Sequence, residues 1–270
     1  MESNTLPDPI DPRMCGLMDA AMGGWFQQDS NQLFEGFPVS ARDTVLDFGC
    51  GGGGASVFCG KIGADIYIAD SLAERLLDVE QKLQETAARG IHKLLIEHTT
   101  IDLDDNTMSR VIAMEVLEHT PNPEEVIAEL VRVAKPGALF LLTVPDARGE
   151  ELQRHVAPAN YFTPPNHIQV FTKESFTGLV AGAGLTVEKY FNQGFFWLLW
   201  LCFNWVSQKE QGRELNGIAQ DGILPPYNEL SLLWSTTWHR LLKTEGGLEL
   251  KKILDRMLPF GQGIIARKLS

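Results

Sequence analysis

The stretch that most constrains this chain is Val45–Ser56, VLDFGCGGGGAS, where an apolar run ends on a cluster of glycines. A β-prone segment that stops on glycine and gives way to a helical pattern, here Ala55 to about Ile62, reads as strand, tight turn and helix. Glycine supplies the dihedral angles of such a turn, and the missing side chains let backbone approach a ligand at the helix start. Gly49, Gly51 and Gly54 fit the dinucleotide pattern G-x-G-x-x-G. The shorter set Gly49, Gly51 and Gly53, preceded by Asp47, fits an acidic residue followed by G-x-G-x-G. The glycines alone do not decide between them.

The same strand-and-helix unit recurs along the chain. Strands are expected at Thr44–Phe48, Ala64–Ala69, Leu94–Glu97, Arg110–Met114, Ala138–Val144 and Leu185–Tyr190, with a final edge strand over Gly263–Lys268. Helices are expected at Ala55–Ile62, 71–89, Glu124–Ala134 and Lys173–Ala183, with Ser71 as an N-cap and Gly90 as a stop. Such alternation implies an α/β fold with a doubly wound, mostly parallel seven-stranded sheet and helices on both faces. Ligands bind such sheets beyond the carboxyl ends of the strands. Ahead of the sheet, residues 1–12 are expected to be extended or disordered. The spacing of Met14, Leu17, Met18, Ala21, Met22, Trp25 and Phe26 predicts a helix that breaks at Gly23-Gly24, with a second beginning at Gln32. Residues 146–169 read as a loop. The organisation expected is an N-terminal helical lid (1–40), a Rossmann-like core (41–191), an aromatic-rich helical insertion (192–258) and the last strand (259–270).

Composition narrows the function. A net charge of −12 argues against a nucleic-acid partner, which needs a basic face. Cys15, Cys50, Cys59 and Cys202 form no CxxC pair and no metal-ligand spacing, so no metal site is expected and the thiols read as reduced. The first thirty residues hold one basic residue, Arg13, and no apolar core of a signal peptide. The apolar run Phe195–Phe203 falls well short of the roughly 20 residues that span a bilayer. A cytoplasmic protein is expected.

Three acidic residues bear on the choice between the two glycine patterns. Asp47 at the strand end would repel a pyrophosphate but suits a cofactor carrying a sulfonium and an α-ammonium group, as S-adenosylmethionine does. Asp70, ending the next strand, is placed to accept from ribose hydroxyls, a feature shared with nicotinamide enzymes. Asp102-Leu103, after the third strand, suits an adenine amino group and ring.

Asp47–Gly53, Asp70, Asp102, the run Ala113-Met114-Glu115-Val116-Leu117-Glu118-His119 and Lys135-Pro136-Gly137, in this order, resemble class I S-adenosylmethionine-dependent methyltransferases. The similarity is to the ubiquinone-biosynthesis-like branch, which methylates small molecules, and Asn166–Phe176 shares it. The resemblance covers roughly residues 35–190 and fades over 1–30 and 192–258, the regions that normally hold the lid and acceptor specificity. It implies S-adenosyl-L-methionine as cofactor and S-adenosyl-L-homocysteine as product. Asp47, Gly49, Cys50, Gly51, Gly53, Asp70, Ser71, Leu72, Asp102, Leu103, Met114 and Glu115 would surround the cofactor, with Trp25 closing over it.

Methyl transfer then needs an acceptor held on the methyl axis, water excluded, and a proton removed if the acceptor is a hydroxyl. His119 and His167 lie on loops at the carboxyl edge of the sheet and are the candidate base or positioning groups. His92, His98, His155 and His239 have no comparable setting. Tyr161, Phe171, Phe195, Trp197 and Trp200 are candidate acceptor-lining residues, since small-molecule pockets are mostly apolar and aromatic. The expected activity is methyl transfer to a small hydrophobic or aromatic acceptor, at oxygen ahead of nitrogen or carbon. A nicotinamide-dependent oxidoreductase and a non-catalytic cofactor-binding subunit are the rival readings. A peripheral membrane or hydrophobic-substrate contact and a homodimer stay open.

Overall fold

The computed structural model describes residues 10–96, 99–213 and 223–269. The expectation for residues 1–9, the expected strand end at Glu97, and His98 lie outside them. The chain divides into a sheet unit (Gly24–Asp146, Ile168–Phe191, Gln262–Ser270) and a helical unit (Met1–Gly23, Ala147–His167, Asn192–Gly261).

The sheet unit opens with three short strands, β1 (Trp25–Gln27), β2 (Gln32–Phe34) and β3 (Phe37–Pro38), paired antiparallel. The second helix expected from Gln32 is therefore a strand. Its apolar residues are too few to establish a period, and Phe26 and Asn31, both at φ 52°, turn the chain where a helix would have to continue. The main sheet holds β4 (Thr44–Phe48), β5 (Asp65–Asp70), β6 (Gly90–Leu95), β7 (Met108–Met114), β8 (Ala134–Pro145), β9 (Leu185–Gln193) and β10 (Gly261–Lys268), in the order β6-β5-β4-β7-β8-β10-β9. β4 pairs parallel with β5 and β7, β5 with β6, and β7 with β8. Strands buried on both faces read as continuous apolar runs, as Val111-Ile112-Ala113 and Leu139–Leu142 do.

The last strand is not at the edge, as expected, but lies between β8 and β9. Its full burial through Ile264, Ile265 and Ala266 follows from that position. β6 begins at Gly90 and not at Leu94, because Gly90 pairs with Asp65 at close approach and is a strand residue, not a helix stop. Around the sheet lie α2 (Gly54–Lys61), α3 (Ala73–Gln84), α4 (Pro123–Val133) and α6 (Lys173–Gly182). α3 starts after Leu72, with no side-chain cap from Ser71, and ends well before residue 89.

The helical unit contains α1 (Pro12–Met22), α5 (Ala147–Gln153), α7 (Phe195–Glu210), α8 (Glu229–Leu242) and α9 (Gly247–Met257). Half of the loop expected over 146–169 is helical, in α5 and a 3₁₀ turn at Ala159–Phe162. Tyr161, Phe196, Trp200, Leu201, Trp205 and Trp238 form the core. Each fully buried side chain of this size contributes roughly 1.5–3 kcal/mol. Gly16 of α1 leaves room for the Trp197 indole, which a Cβ there would strike. No helix among the described residues is long and apolar enough to cross a membrane.

One charged cluster sits inside this core. Lys251 Nζ donates to Asp255 Oδ2 at 2.7 Å and to Asp19 Oδ2 at 3.1 Å, while Trp238 Nε1 donates to Asp19 Oδ1 at 2.8 Å. The amide of Phe195, at the start of α7, donates to Asp255 Oδ1 at 2.9 Å. Burial works against the lysine charge, yet the two carboxylates hold its pKa above the ordinary value.

Candidate active site

The glycine loop joins β4 to α2. Gly49, Gly51 and Gly53 adopt φ of 73°, 51° and 80°, the left-handed region open to glycine, whereas Gly54 is an ordinary first residue of α2. The shorter of the two glycine patterns is thus the one the backbone uses. A Cβ on Gly49 would strike Val116, and one on Gly53 would come within 2.7 Å of Val79. On the other side the loop is open, since a Cβ at Gly52 or Gly54 would meet nothing within 4 Å.

Asp70 ends β5 and is 5% exposed. Its Oδ2 accepts from Gly51 N–H at 3.1 Å and its Oδ1 from Leu72 N–H at 3.0 Å, with Arg75 Nη1 3.8 Å away. Each oxygen keeps a further lone pair for a hydroxyl donor. Ser71 is exposed, and Leu72 carries an exposed apolar side chain beside this carboxylate.

Asp47 departs from expectation. It is 2% exposed and accepts from Ser56 Oγ of α2, so it ties the strand to the helix and does not face the open side of the loop. Burial pushes its pKa up to about 6, against the hydrogen bond from Ser56. Cys50 is likewise enclosed. Burial, then the charges of Asp47 and Asp70, push its thiol up to about 12, which leaves it neutral and unreactive.

At the end of β7, Met114 pairs with Thr143 and Glu115 takes φ 54°, unusual for a residue with a side chain. Thr143 Oγ1 donates to Glu115 Oε1 at 2.8 Å, and the Glu115 amide donates to the Thr143 carbonyl. Backbone strain of this kind concentrates where a side chain must be aimed. His119 closes the 3₁₀ turn Leu117–His119, its Nε2 3.5 Å from Glu118 Oε1, and is 37% exposed.

Asp102 is exposed and Leu103 half-buried on the loop after β6. That loop is clamped from α4. Glu129 Oε1 accepts from Ile101 N–H at 2.7 Å, and Arg132 donates to the carbonyls of Ile101 and Leu103 and to Asp105. In the sequence the clamp shows only as Glu129 and Arg132 sharing one helix face at i, i+3.

In the helical unit, His167 is 11% exposed with Nδ1 2.7 Å from Oε1 of Glu150, whose side chain is 1% exposed. The Tyr161 ring lies 4.4 Å from the imidazole, and the Tyr161 carbonyl accepts from His167 N–H at 3.1 Å. No sequence pattern marks Glu150, because α5 is a seven-residue helix too short to show a period. His119 and His167 fall in different units.

Several expected ligand-facing residues are packing residues. Trp25 is in a strand and not in a closing helix, 7% exposed against Phe34, Phe26 and Phe191. Phe171 is buried against Phe176 in the sheet core, and its carbonyl accepts from Gln262 Nε2. Tyr161 and Trp200 are enclosed at 1% and 0% exposure, and Phe195 is also buried. Of the aromatic set, Trp197 alone is half-buried.

A seven-stranded sheet of this order, with a left-handed glycine loop after its central strand and a carboxylate ending the neighbouring strand, defines the class I methyltransferase fold. The methyltransferase-domain family matches residues 26–190, more than half of the chain, and the chain belongs to that family. Ubiquinone biosynthesis O-methyltransferase of Methylococcus capsulatus is 33% identical over 106 residues, which cover 39% of this chain and 45% of that protein. The protein of the same name from Hahella chejuensis is 38% identical over 103 residues, 37% of this chain and 42% of that one. The chain thus spans less than half the length of these curated relatives. A methyltransferase structure from Bacillus halodurans superposes with a TM-score of 0.56 at 15% identity, over 96% of this chain and 99% of that one. Geranyl diphosphate methyltransferase in complex with S-adenosylmethionine gives 0.52 at 14% identity, over 86% and 80%. These structural likenesses show the fold.

The family's cofactor is S-adenosylmethionine, and the residues present fit it. The open glycine face admits close backbone approach, and Asp70 offers lone pairs to a ribose. The nicotinamide reading falls away with the methyltransferase-domain match over residues 26–190.

Proposed function

We propose that the protein transfers the methyl group of S-adenosylmethionine to oxygen of a small, apolar or aromatic hydroxyl compound. The cofactor, when bound, supplies an activated methyl carbon and leaves as S-adenosylhomocysteine. Gly49, Gly51 and Gly53 give it backbone to lie against, Asp70 takes the ribose hydroxyls, Asp102 and Leu103 take the adenine, and Glu115 stands by the methionine end. His119 and His167 are the candidate groups for taking or orienting the acceptor's hydroxyl proton.

The observation that carries the oxygen assignment is the nearly enclosed imidazole of His167, with Nδ1 2.7 Å from the Glu150 carboxylate, a side chain of the type that takes a hydroxyl proton. The likeness to ubiquinone biosynthesis O-methyltransferases supports the same atom.

The test is turnover by the isolated chain on a panel of catechols, phenols and amines, with S-adenosylhomocysteine as readout. Methylation of the hydroxyl compounds, lost in His167→Ala at saturating cofactor, is the expected result. Turnover restricted to amines, or unchanged kcat in both His119→Ala and His167→Ala, overturns it.

A further inference from the structure

We infer that Glu129 and Arg132 are positioning residues for the cofactor, holding the turn at residues 101–103 from α4 so that Asp102 is presented to the amino edge of an adenine. The inference rests on the reading of Asp102 and Leu103 as the adenine contacts. All of these residues belong to the sheet unit.

The turn is gripped at both of its ends. Leu103 N–H donates to the Ile101 carbonyl at 2.7 Å, which closes a three-residue turn with Asp102 at its middle. Arg132 Nη2 donates to that Ile101 carbonyl at 2.9 Å, and Nη1 donates to the Leu103 carbonyl at 2.8 Å. Nη1 also donates to Asp105 Oδ1 at 2.6 Å. The remaining donors, on Nε and Nη2, go to Glu129 Oε2 at 2.8 Å and Oε1 at 2.7 Å. Glu129 Oε1 accepts in addition from Ile101 N–H at 2.7 Å. All five guanidinium donors are thus used, and the two carbonyls that flank Asp102 are tied to one helix.

The segment has little of its own to hold this shape. Asp102, Asp104 and Asp105 place three acidic residues within four, all exposed, and like charges so close push a loop apart. Its apolar attachment is Ile101, 1% exposed, with Leu103 half-buried against the sheet core. The Arg132 charge offsets the repulsion. Its hydrogen bonds also lower the pKa of the Glu129 carboxyl below the ordinary value, so the pair stays ionised at neutral pH. A loop ordered before the ligand arrives spares the binding step the entropy of ordering it. Lysine would not substitute for Arg132, because a point charge with three donors does not reproduce a planar fork of five. The held turn matters because adenine and hypoxanthine differ at one edge. The amino group of adenine donates to a carboxylate, whereas hypoxanthine carries there a carbonyl oxygen, which a carboxylate fixed in place repels. Discrimination between these two bases therefore measures how firmly Asp102 is placed.

The test is calorimetry with S-adenosylhomocysteine and with S-inosylhomocysteine, its analogue carrying hypoxanthine in place of adenine. Wild type should prefer the adenine compound by about tenfold to a hundredfold, the worth of one hydrogen bond to a charged group. Arg132→Lys, which keeps the charge, and Glu129→Ala should each remove most of that preference, with affinity for S-inosylhomocysteine unchanged. Asp102→Ala, with the clamp intact, should remove it too. A second readout needs no ligand. The Ile101 and Leu103 amides should exchange hydrogen faster in Arg132→Lys than in wild type, while the Gly49 and Gly51 amides keep their rates. If Asp102→Ala loses the preference and both clamp variants keep it, the adenine reading stands and the positioning role is overturned. If Asp102→Ala keeps the preference, or wild type shows none, the adenine reading fails and the inference falls with it. Equal loss of both ligands in the clamp variants marks a general loosening of the site and overturns the inference. So does exchange that is unchanged at the turn or quickens equally at the glycine amides.

Discussion

The Oδ2 of Asp70 lies 3.1 Å from the amide of Gly51, so the carboxylate expected to receive a ribose is also a strut of the glycine loop. Asp70→Ala would remove a ligand acceptor and leave the Gly51 and Leu72 amides without their partner. Calorimetry with S-adenosylhomocysteine should show affinity falling at least about tenfold, since a hydrogen bond to a charged group contributes roughly 1.5–3 kcal/mol. Asp70→Asn, which keeps one acceptor oxygen, should lose less. Equal binding by wild type and Asp70→Ala would remove the ribose assignment.

The two overlapping glycine patterns predict opposite outcomes. Gly49→Ala must hold a side chain at φ 73° against Val116, and a loss of about 1–3 kcal/mol in chemical denaturation is expected. Gly54→Ala begins a helix with open space around it, so a gain of roughly 0.5–1 kcal/mol is expected. Similar losses in both variants would mean that Gly54 does need glycine.

Asp47 gives the fold a pH dependence of defined sign. Its folded pKa, about 6, lies above the unfolded value of 3.8, so the folded state binds the proton more tightly. The contribution to stability is fully present below pH ~4 and is lost as pH rises through ~6, up to about 3 kcal/mol in all. The difference in unfolding free energy between wild type and Asp47→Asn, measured by urea titration at steps across this window, should change by that amount. A flat difference would show that the carboxyl titrates normally.

The charged cluster of the helical unit should be unforgiving. Lys251→Met leaves Asp19 and Asp255 buried and uncompensated, and a loss of about 3–5 kcal/mol is expected from denaturant melts. Restoring neutrality with Asp19→Asn and Asp255→Asn on the same background should recover part of it. No recovery would assign the loss to packing of the lysine stem.

What could be read from the sequence was local. The strand, glycine turn and helix at Val45–Ser56, and the acidic residue ending each neighbouring strand, are adjacent along the chain and announced themselves by pattern. The place of Gly261–Lys268 inside the sheet depends on pairing with distant strands, which no local period encodes. The small sheet at Trp25–Pro38 was missed because strands of two or three residues carry no alternation to count. Asp47 looked like a ligand group and is an internal tie, because residue type at a strand end does not say which way the side chain turns. Glu150 and the clamp of Glu129 and Arg132 were hidden for the same reason, since each acts on a segment far from it in the chain.

The contacts of α1 have a consequence for the order in which the molecule forms. Asp19 meets Trp238 and Lys251 across sequence separations of 219 and 232 residues. The sheet, too, is incomplete until Gly261–Lys268 takes its place between β8 and β9. During synthesis the first helix therefore emerges long before its partners exist, and its exposed Met14 and Leu17 are then joined by an uncovered Cys15 and Met18. The sheet cannot close until Gly261–Lys268 has left the ribosome. Contacts this distant along the chain set a slow pace of folding.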